Sequence, residues 1–165
     1  MEIPGFVKLA PWFGIGGMVV AFFIYLYISK QDEGNEKMKE LAKLIHDGAM
    51  VFLKREYTIL LGFIIVVTSF LYMQIAPQTA LAYVAGAMCS MFAGFFGMKG
   101  ATKANVRTAQ AALTHGEAKA LSVSFFGGSV MGLSVASLGL LGVGVFFLLF
   151  GQSVDTAHYI SGFAM

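Results

Sequence analysis

Three runs without Asp, Glu, Lys or Arg constrain this chain more than any other feature of its sequence. They cover residues 9–29, 57–98 and 120–154 and are 21, 42 and 35 residues long. A helix needs roughly 20 apolar residues to cross the hydrocarbon core of a bilayer, so the first run holds one span. The second run holds two spans, because a polar, proline-containing stretch at 74–79 interrupts it near the middle. The third run is one long span.

We therefore predict an all-α membrane protein with a single membrane domain over residues 1–165. Only 12% of its residues are charged, whereas a soluble domain carries about 25%, so a soluble globular fold is excluded. The single cysteine, Cys89, allows no disulfide within the chain. The predicted transmembrane helices lie at about residues 9–29, 57–75, 79–98 and 121–151.

The basic residues predict the orientation of these helices. Of eleven Lys and Arg residues, six lie in segment 30–55 and four in segment 99–119. Four spans place both segments on the same side of the membrane, and the positive-inside rule makes that side cytoplasmic. We therefore expect cytoplasmic loops at about 30–56 and 99–119. The N-terminus, the 75–79 turn and the tail after Gly151 then face outward.

Residues 36–55 have apolar side chains at three- and four-residue steps, which predicts an amphipathic helix. Asn35 is the expected N-cap, and Glu36 suits the first turn. The helix either lies on the cytoplasmic face or runs on into the second span. Because its acids nearly balance its bases, we favour packing against its own protein over sensing of anionic lipid.

Segment 99–119 is rich in alanine and is expected to form a compact cytoplasmic hairpin between the third and fourth spans. Thr114 and Glu117 fit a capping box that opens the fourth helix, with Thr114 as N-cap. Alternatively, Gly116 ends the preceding helical turn.

Small residues in the spans predict close helix packing. Gly128, Gly132 and Ala136 recur at four-residue steps in the fourth span, and small residues at this spacing let helix backbones approach closely. Further small surfaces are expected at Gly139 and Gly142, at Gly14 and Gly17 of the first span, and at Gly86, Gly94 and Gly97 of the third.

The common catalytic patterns are absent from the sequence. It has no GxxxxGK[ST] phosphate loop and no HExxH, and His46, His115 and His158 are too far apart to chelate a metal. No Asp, Glu, Lys, Arg or His lies deep within a predicted span, which argues against a small channel or carrier. Glu56, at the edge of the second span, is expected to pair with neighbouring Lys or Arg. On its residues alone the chain resembles a scaffold.

Three stretches together resemble the membrane-integral inorganic pyrophosphatases, which are ion pumps driven by pyrophosphate hydrolysis. They are IHDGAMVFLKREYTIL at 45–60, GMKGATKANVRTAQAA at 97–112 and GGSVMGLSVASLGLLG at 127–142. The resemblance implies a homodimer whose subunits are sixteen-helix bundles in two rings, with these four helices in the outer ring. It also implies Mg²⁺ and pyrophosphate ligands that begin on a fifth helix, whose start residues 160–165 resemble. No catalytic, cofactor-binding or metal-binding residue can therefore be assigned in this chain.

The resemblance predicts an N-terminal, outer-ring portion of a pyrophosphate-energised proton or sodium pump in a prokaryotic cell membrane. We expect this segment, a shortened piece or an incomplete gene product, to be a scaffold without activity of its own. Its expected partners are the lipid bilayer, the remaining helices of the parent protein and a second subunit, with pyrophosphate as the substrate of the whole protein and no nucleic acid. The alternative is a self-standing four-helix accessory or assembly protein.

The stretch GATKANVRTAQAAL at 100–113 carries the most specific polar side chains. Lys103 and Arg107 lie one helical turn apart and can face the same way. One hypothesis is that they steer pyrophosphate to the cytoplasmic mouth of the pump. We favour the other, in which they anchor the inner end of the third helix to headgroups or loop carbonyls while Asn105 caps a turn.

Overall fold

The computed structural model describes residues 7–151 and 154–165 of the chain. Four long helices make up most of it: α1 (Ala10–Ser29), α2 (Glu36–Gln74), α3 (Pro77–His115) and α4 (Glu117–Phe150). A 3-10 turn at Val7–Leu9 precedes α1. After α4 come α5 (Val154–Ala157), a second 3-10 turn at His158–Ile160, and α6 (Ser161–Ala164).

Each long helix is long and apolar enough to cross a membrane, which confirms the prediction of four spans in an all-α protein. Their outer faces expose large apolar side chains, such as Trp12 of α1 (70% exposed) and Val66 of α2 (68%). Such surfaces fit contact with lipid or with further helices rather than with water, because exposed apolar patches of this extent are rare on soluble monomers.

The second and third helices are much longer than a bilayer requires. Each has 39 residues and is therefore about 58 Å long, against a hydrocarbon core of about 30 Å. The amphipathic helix thus runs on into the second span. Segment 99–119, predicted as a hairpin loop, is instead helical up to His115, because nothing between Ala101 and His115 breaks the helix.

The helix ends confirm some of the predicted caps and correct others. The side chain of Asn35 accepts a hydrogen bond from the backbone N–H of Met38 at 3.0 Å, as expected of an N-cap. Thr114 is not an N-cap; it lies inside α3 and its hydroxyl bonds the Gln110 carbonyl. Gly116, with φ of +81°, ends α3 instead. Asn105 caps no turn, because it lies within α3.

α3 lies at the centre of the bundle and packs against α2 on one side and α4 on the other, while α1 packs mainly against α4. Near one end, Ile28 of α1, Ala104 of α3 and Val130 of α4 form a buried cluster. Towards the opposite end, Phe163 of α6 packs on Ala82 and Phe146. We call the end that contains linker 30–35 and the Gly116 turn the basic end. There Lys119 of α4 donates a hydrogen bond to the Tyr27 hydroxyl of α1 at 3.0 Å.

The predicted glycine surfaces are only partly used within the chain. Gly14, Gly17, Gly86, Gly94, Gly97 and Gly142 lie so close to neighbouring elements that a Cβ atom would crowd them. Gly128, Gly132 and Gly139 have open space instead. The stripe of Gly128, Gly132 and Ala136 is therefore not the face of α4 that packs within the described residues; Val130, Ser134 and Ser137 lie on the buried face.

Candidate functional site

Arg107 of α3 holds the α1–α2 linker against the bundle at the basic end. Its side chain is only 4% exposed and forms an ion pair with Glu33. Nε donates to the Gln31 carbonyl at 3.0 Å, Nη2 to the Ser29 carbonyl at 3.3 Å, and Nη1 to the Lys103 carbonyl at 2.8 Å. Arg107 thus satisfies carbonyl groups at the C-terminus of α1 that have no helical partner. Pairing and hydrogen bonding make this buried charge tolerable.

Asp32 forms a second contact between the same linker and α3. One carboxylate oxygen accepts from the backbone N–H of Gly34 at 3.0 Å, and the other accepts from the Gln110 side-chain amide at 2.9 Å. The Gly34 N–H, followed by the Gln110 amide, holds the pKa of Asp32 below its usual value, since both donors favour the ionised carboxylate. Gly34 has φ of +81°, which suits glycine in this turn.

The sequence predicted either anion steering or anchoring for Lys103 and Arg107 of the GATKANVRTAQAAL stretch. The contacts decide between these roles for Arg107 only. Arg107 makes anchor contacts to the Gln31 carbonyl of the linker and to the Ser29 carbonyl at the end of α1. Lys103 does not share them: its side chain is 38% exposed, and its Nζ lies 3.9 Å from Glu33. Steering of an anion therefore remains a hypothesis that concerns Lys103.

Beside these contacts, α1, α2, α3 and the linker line an open polar cavity of about 330 Å³, which we call the cationic cavity. Most of its lining side chains are basic or polar. They are Tyr25, Glu33, Lys39, Ala42, Lys43, His46, Lys99, Thr102, Lys103 and Arg107.

The polar partners inside the cationic cavity are specific. The Thr102 hydroxyl donates to the Met98 carbonyl at 2.9 Å, so its oxygen is left to accept from Nδ1 of His46 at 3.2 Å. Lys39 pairs with Glu36 at 2.8 Å, and this partner raises the pKa of Lys39. Five cationic side chains face one carboxylate, that of Glu33, so the lining carries a net positive charge.

The acidic partners of α3 at the basic end were not predicted from the sequence. Glu33 and Asp32 could not be predicted as the partners of Arg107 and Gln110, because these pairs span 74 and 78 positions of sequence. A signal was present, since Asp32 and Glu33 are acids in a short linker that joins two helices. The expected pairing of Glu56 is wrong: among the ion pairs of the described residues, none involves Glu56.

The acids of the basic end do not fit the Mg²⁺ that the family resemblance implies. Mg²⁺ prefers an octahedron of oxygen ligands, including one or two carboxylates and several waters. Here Asp32, Glu33 and Glu36 are engaged by amide, guanidinium or ammonium donors. Within 7–151 and 154–165, the structure brings together no group of three His, Cys, Asp or Glu side chains that could hold a metal ion.

Fold and site together define a multi-span α-helical membrane protein whose basic end is held by a buried arginine. A family profile described as "Inorganic H+ pyrophosphatase" matches residues 15–165. The chain belongs to this family, as its three signature stretches predicted.

Individual relatives agree with the family match. The chain is 46% identical over 152 residues to the "Putative K(+)-stimulated pyrophosphate-energized sodium pump" of Clostridium tetani. The aligned region covers 92% of this chain and 22% of that protein. It is 38% identical to the "K(+)-insensitive pyrophosphate-energized proton pump" of Pyrobaculum aerophilum, covering 91% and 22%. It is 43% identical to the "K(+)-stimulated pyrophosphate-energized sodium pump" of Thermotoga maritima, covering 76% and 17%. The chain thus spans about a fifth of the length of these relatives.

Proposed function

We propose that the chain is the N-terminal scaffold portion of a pyrophosphate-energised proton or sodium pump. The observation that carries the proposal is its 46% identity to a sodium-pump relative over 92% of its own length but only 22% of the relative's length. As the resemblance implies, the whole pump would use Mg²⁺, hydrolyse pyrophosphate and work as a homodimer in a prokaryotic cell membrane. The described relatives come from bacteria and archaea, which fits that location.

The geometry of the basic end supports a scaffold role for this segment. Arg107 donates to the Gln31 carbonyl of the linker. Asp32 accepts from the Gly34 N–H and from the Gln110 amide. These hydrogen bonds fix the relative positions of α1, α2 and α3. Catalysis of phosphoryl transfer relies on metal ions and charged groups aimed at the phosphates. We therefore propose that the segment alone does not hydrolyse pyrophosphate.

A split-pump experiment tests both parts of this proposal. The chain is co-expressed with the Thermotoga maritima pump from which the matching segment has been removed, and Mg²⁺-dependent phosphate release from pyrophosphate is measured in membranes containing K⁺. The Thermotoga pump, divided at the same point into its own two pieces, is the positive control. We expect neither partner alone to release phosphate and the pair to release it.

The outcomes separate the two parts of the proposal. Phosphate release by this chain alone would contradict the scaffold assignment. Failure of the mixed pair, when both pieces are inserted and the control pair is active, would contradict the pump assignment. An effect of the chain on the intact Thermotoga pump without complementation of the shortened one would favour the accessory-protein alternative.

The basic end is proposed to face the cytoplasm, because ten of the eleven Lys and Arg residues lie in the two segments at that end. Single cysteines introduced as Lys37→Cys and Gln78→Cys in a Cys89→Ser background test this in intact cells, since both positions are exposed at opposite ends. A membrane-impermeant maleimide should label only the Gln78→Cys variant. Labelling of Lys37→Cys alone would reverse the orientation.

A further inference from the structure

The cationic cavity has a neighbouring cavity of different chemistry. This apolar groove has a volume of about 240 Å³ and lies between α1, α3 and α4. Its lining is Met18, Ala21, Phe22, Tyr25, Phe95, Phe96, Lys99, Val130 and Ser134. Tyr25 and Lys99 line both spaces, so the groove and the cationic cavity adjoin each other at these two side chains.

The groove runs inward from the basic end along one face of α1. Met18, Ala21, Phe22 and Tyr25 are spaced by three and four residues, as one helical face requires. From Ser29, at the end of α1, to Met18 is a rise of about 17 Å. All of the groove except Lys99 is built from the uncharged runs of the sequence, so it lies at the depth of acyl chains.

The ion pairs of the cationic cavity leave two of its lysines without a carboxylate partner in the part of the chain that the structure describes. Glu33, the carboxylate of the cationic cavity, is already paired with Arg107. Lys39 is likewise paired with Glu36. Among the described residues, Lys43 and Lys99 have no carboxylate within 4.0 Å. Lys99 lies over the ring of Phe95, with Nζ 4.6 Å from the centroid, which holds one cation at the boundary of the two cavities.

We infer that this composite site binds an anionic phospholipid, with the phosphate headgroup in the cationic cavity and an acyl chain in the apolar groove. A polar cavity alone would suit free phosphate equally well. The adjoining groove at membrane depth favours the lipid, because it gives the chain attached to the phosphate an apolar surface to cover. The site is separate from pyrophosphate hydrolysis and does not depend on the proposed pump function.

Quenching of an introduced tryptophan by brominated lipids tests the site. The single native tryptophan is removed by Trp12→Phe, and Phe96→Trp places an indole in the groove. The protein is reconstituted into phosphatidylcholine vesicles that contain, at equal mole fraction, either phosphatidylglycerol or phosphatidylcholine with brominated acyl chains. We expect brominated phosphatidylglycerol to quench the indole several-fold more effectively.

Two charge variants in this background locate the headgroup. Lys43→Gln with Lys99→Gln removes two cations that line the cavity, and Lys37→Gln with Lys54→Gln removes two that do not. Because a lysine within reach of an anionic headgroup strengthens its binding by about fivefold, the first pair should lower the preference at least about fivefold. The second pair should leave it nearly unchanged.

Other outcomes would overturn the inference. Equal quenching by the two lipids in the Phe96→Trp protein would show that the site does not select an anionic headgroup. Absence of quenching by either lipid would show that another protein segment covers the groove. Equal quenching by the two lipids, together with saturable binding of inorganic phosphate by the same protein, would identify the cavity as a site for a free anion rather than for a lipid.

Discussion

Nε of Arg107 donates a hydrogen bond to the backbone carbonyl of Gln31, which lies 76 positions earlier in the chain, at 3.0 Å. The same guanidinium pairs with Glu33 while remaining 4% exposed. We predict that Arg107→Gln lowers the free energy of unfolding by about 3 kcal/mol, because it leaves the linker carbonyls and Glu33 without a charged donor. Thermal unfolding of the purified protein in detergent, followed by circular dichroism, measures this loss.

Lys103→Gln is the matched control on the same face of α3. Lys103 is partly exposed, and its Nζ lies 3.9 Å from Glu33, so its pair contributes only about 0–1 kcal/mol. Equal destabilisation by the two substitutions would contradict a specific anchoring role for Arg107.

The spans were predictable from sequence because a long uncharged run has few alternatives to a membrane helix. The C-terminal end of α3 was harder to predict from the sequence. Absence of Gly and Pro from Ala101 to His115 indicated a continuous helix, but the capping-box pattern at Thr114 suggested a break earlier than the one at Gly116. A local pattern of this kind is overridden when the helix continues to a glycine with positive φ.

The partners of Arg107 and the packing faces of the glycines could not be predicted for a different reason. Glu33 reaches Arg107 only through the alignment of α1 against α3, which depends on tertiary packing. A helix that is apolar on all sides, such as α4, has no periodicity that distinguishes its buried face from its lipid-facing one. The four-residue spacing of Gly128 and Gly132 therefore did not indicate which face of α4 packs within the described residues.

Gly14 and Gly16 of α1 give a paired test of helix packing. A Cβ atom at Gly14 would lie 2.7 Å from the Ser137 carbonyl oxygen, a backbone atom of α4 that cannot turn away, whereas one at Gly16 would meet nothing within 4 Å. We predict that Gly14→Ala lowers the free energy of unfolding by about 1–3 kcal/mol. Gly16→Ala should be neutral or stabilising by up to about 1 kcal/mol, because alanine favours the helix. Denaturation in mixed micelles compares the stabilities of the two variants. Equal effects would contradict the packing in which Gly14, and not Gly16, faces α4.

Asp32 predicts a dependence of stability on acid pH. Its folded-state pKa lies below the usual value of 3.8, through the Gly34 N–H and then the Gln110 amide. The ionised carboxylate therefore contributes stability above pH 3.8, and this contribution is lost as the pH falls through the lower folded-state pKa. We expect the native chain to be more stable than Asp32→Asn at pH 7 and the difference to shrink below pH 3.8. Gln110→Ala should weaken this pH dependence; a difference that does not change with pH would exclude the role of Asp32.

Gly116 separates α3 from α4 with φ of +81° and ψ of −177°, a backbone region that is essentially restricted to glycine. A Cβ atom there would meet nothing within 4 Å, so the cost of a substitution comes from the backbone alone. We predict that Gly116→Ala lowers the free energy of unfolding by about 1–3 kcal/mol. Gly48→Ala in α2 is the matched control: its site is equally open but helical, so alanine should raise stability by about 0.5–1 kcal/mol. Thermal unfolding of both variants measures the contrast, and a stabilising effect of Gly116→Ala would show that α3 and α4 join through a different turn.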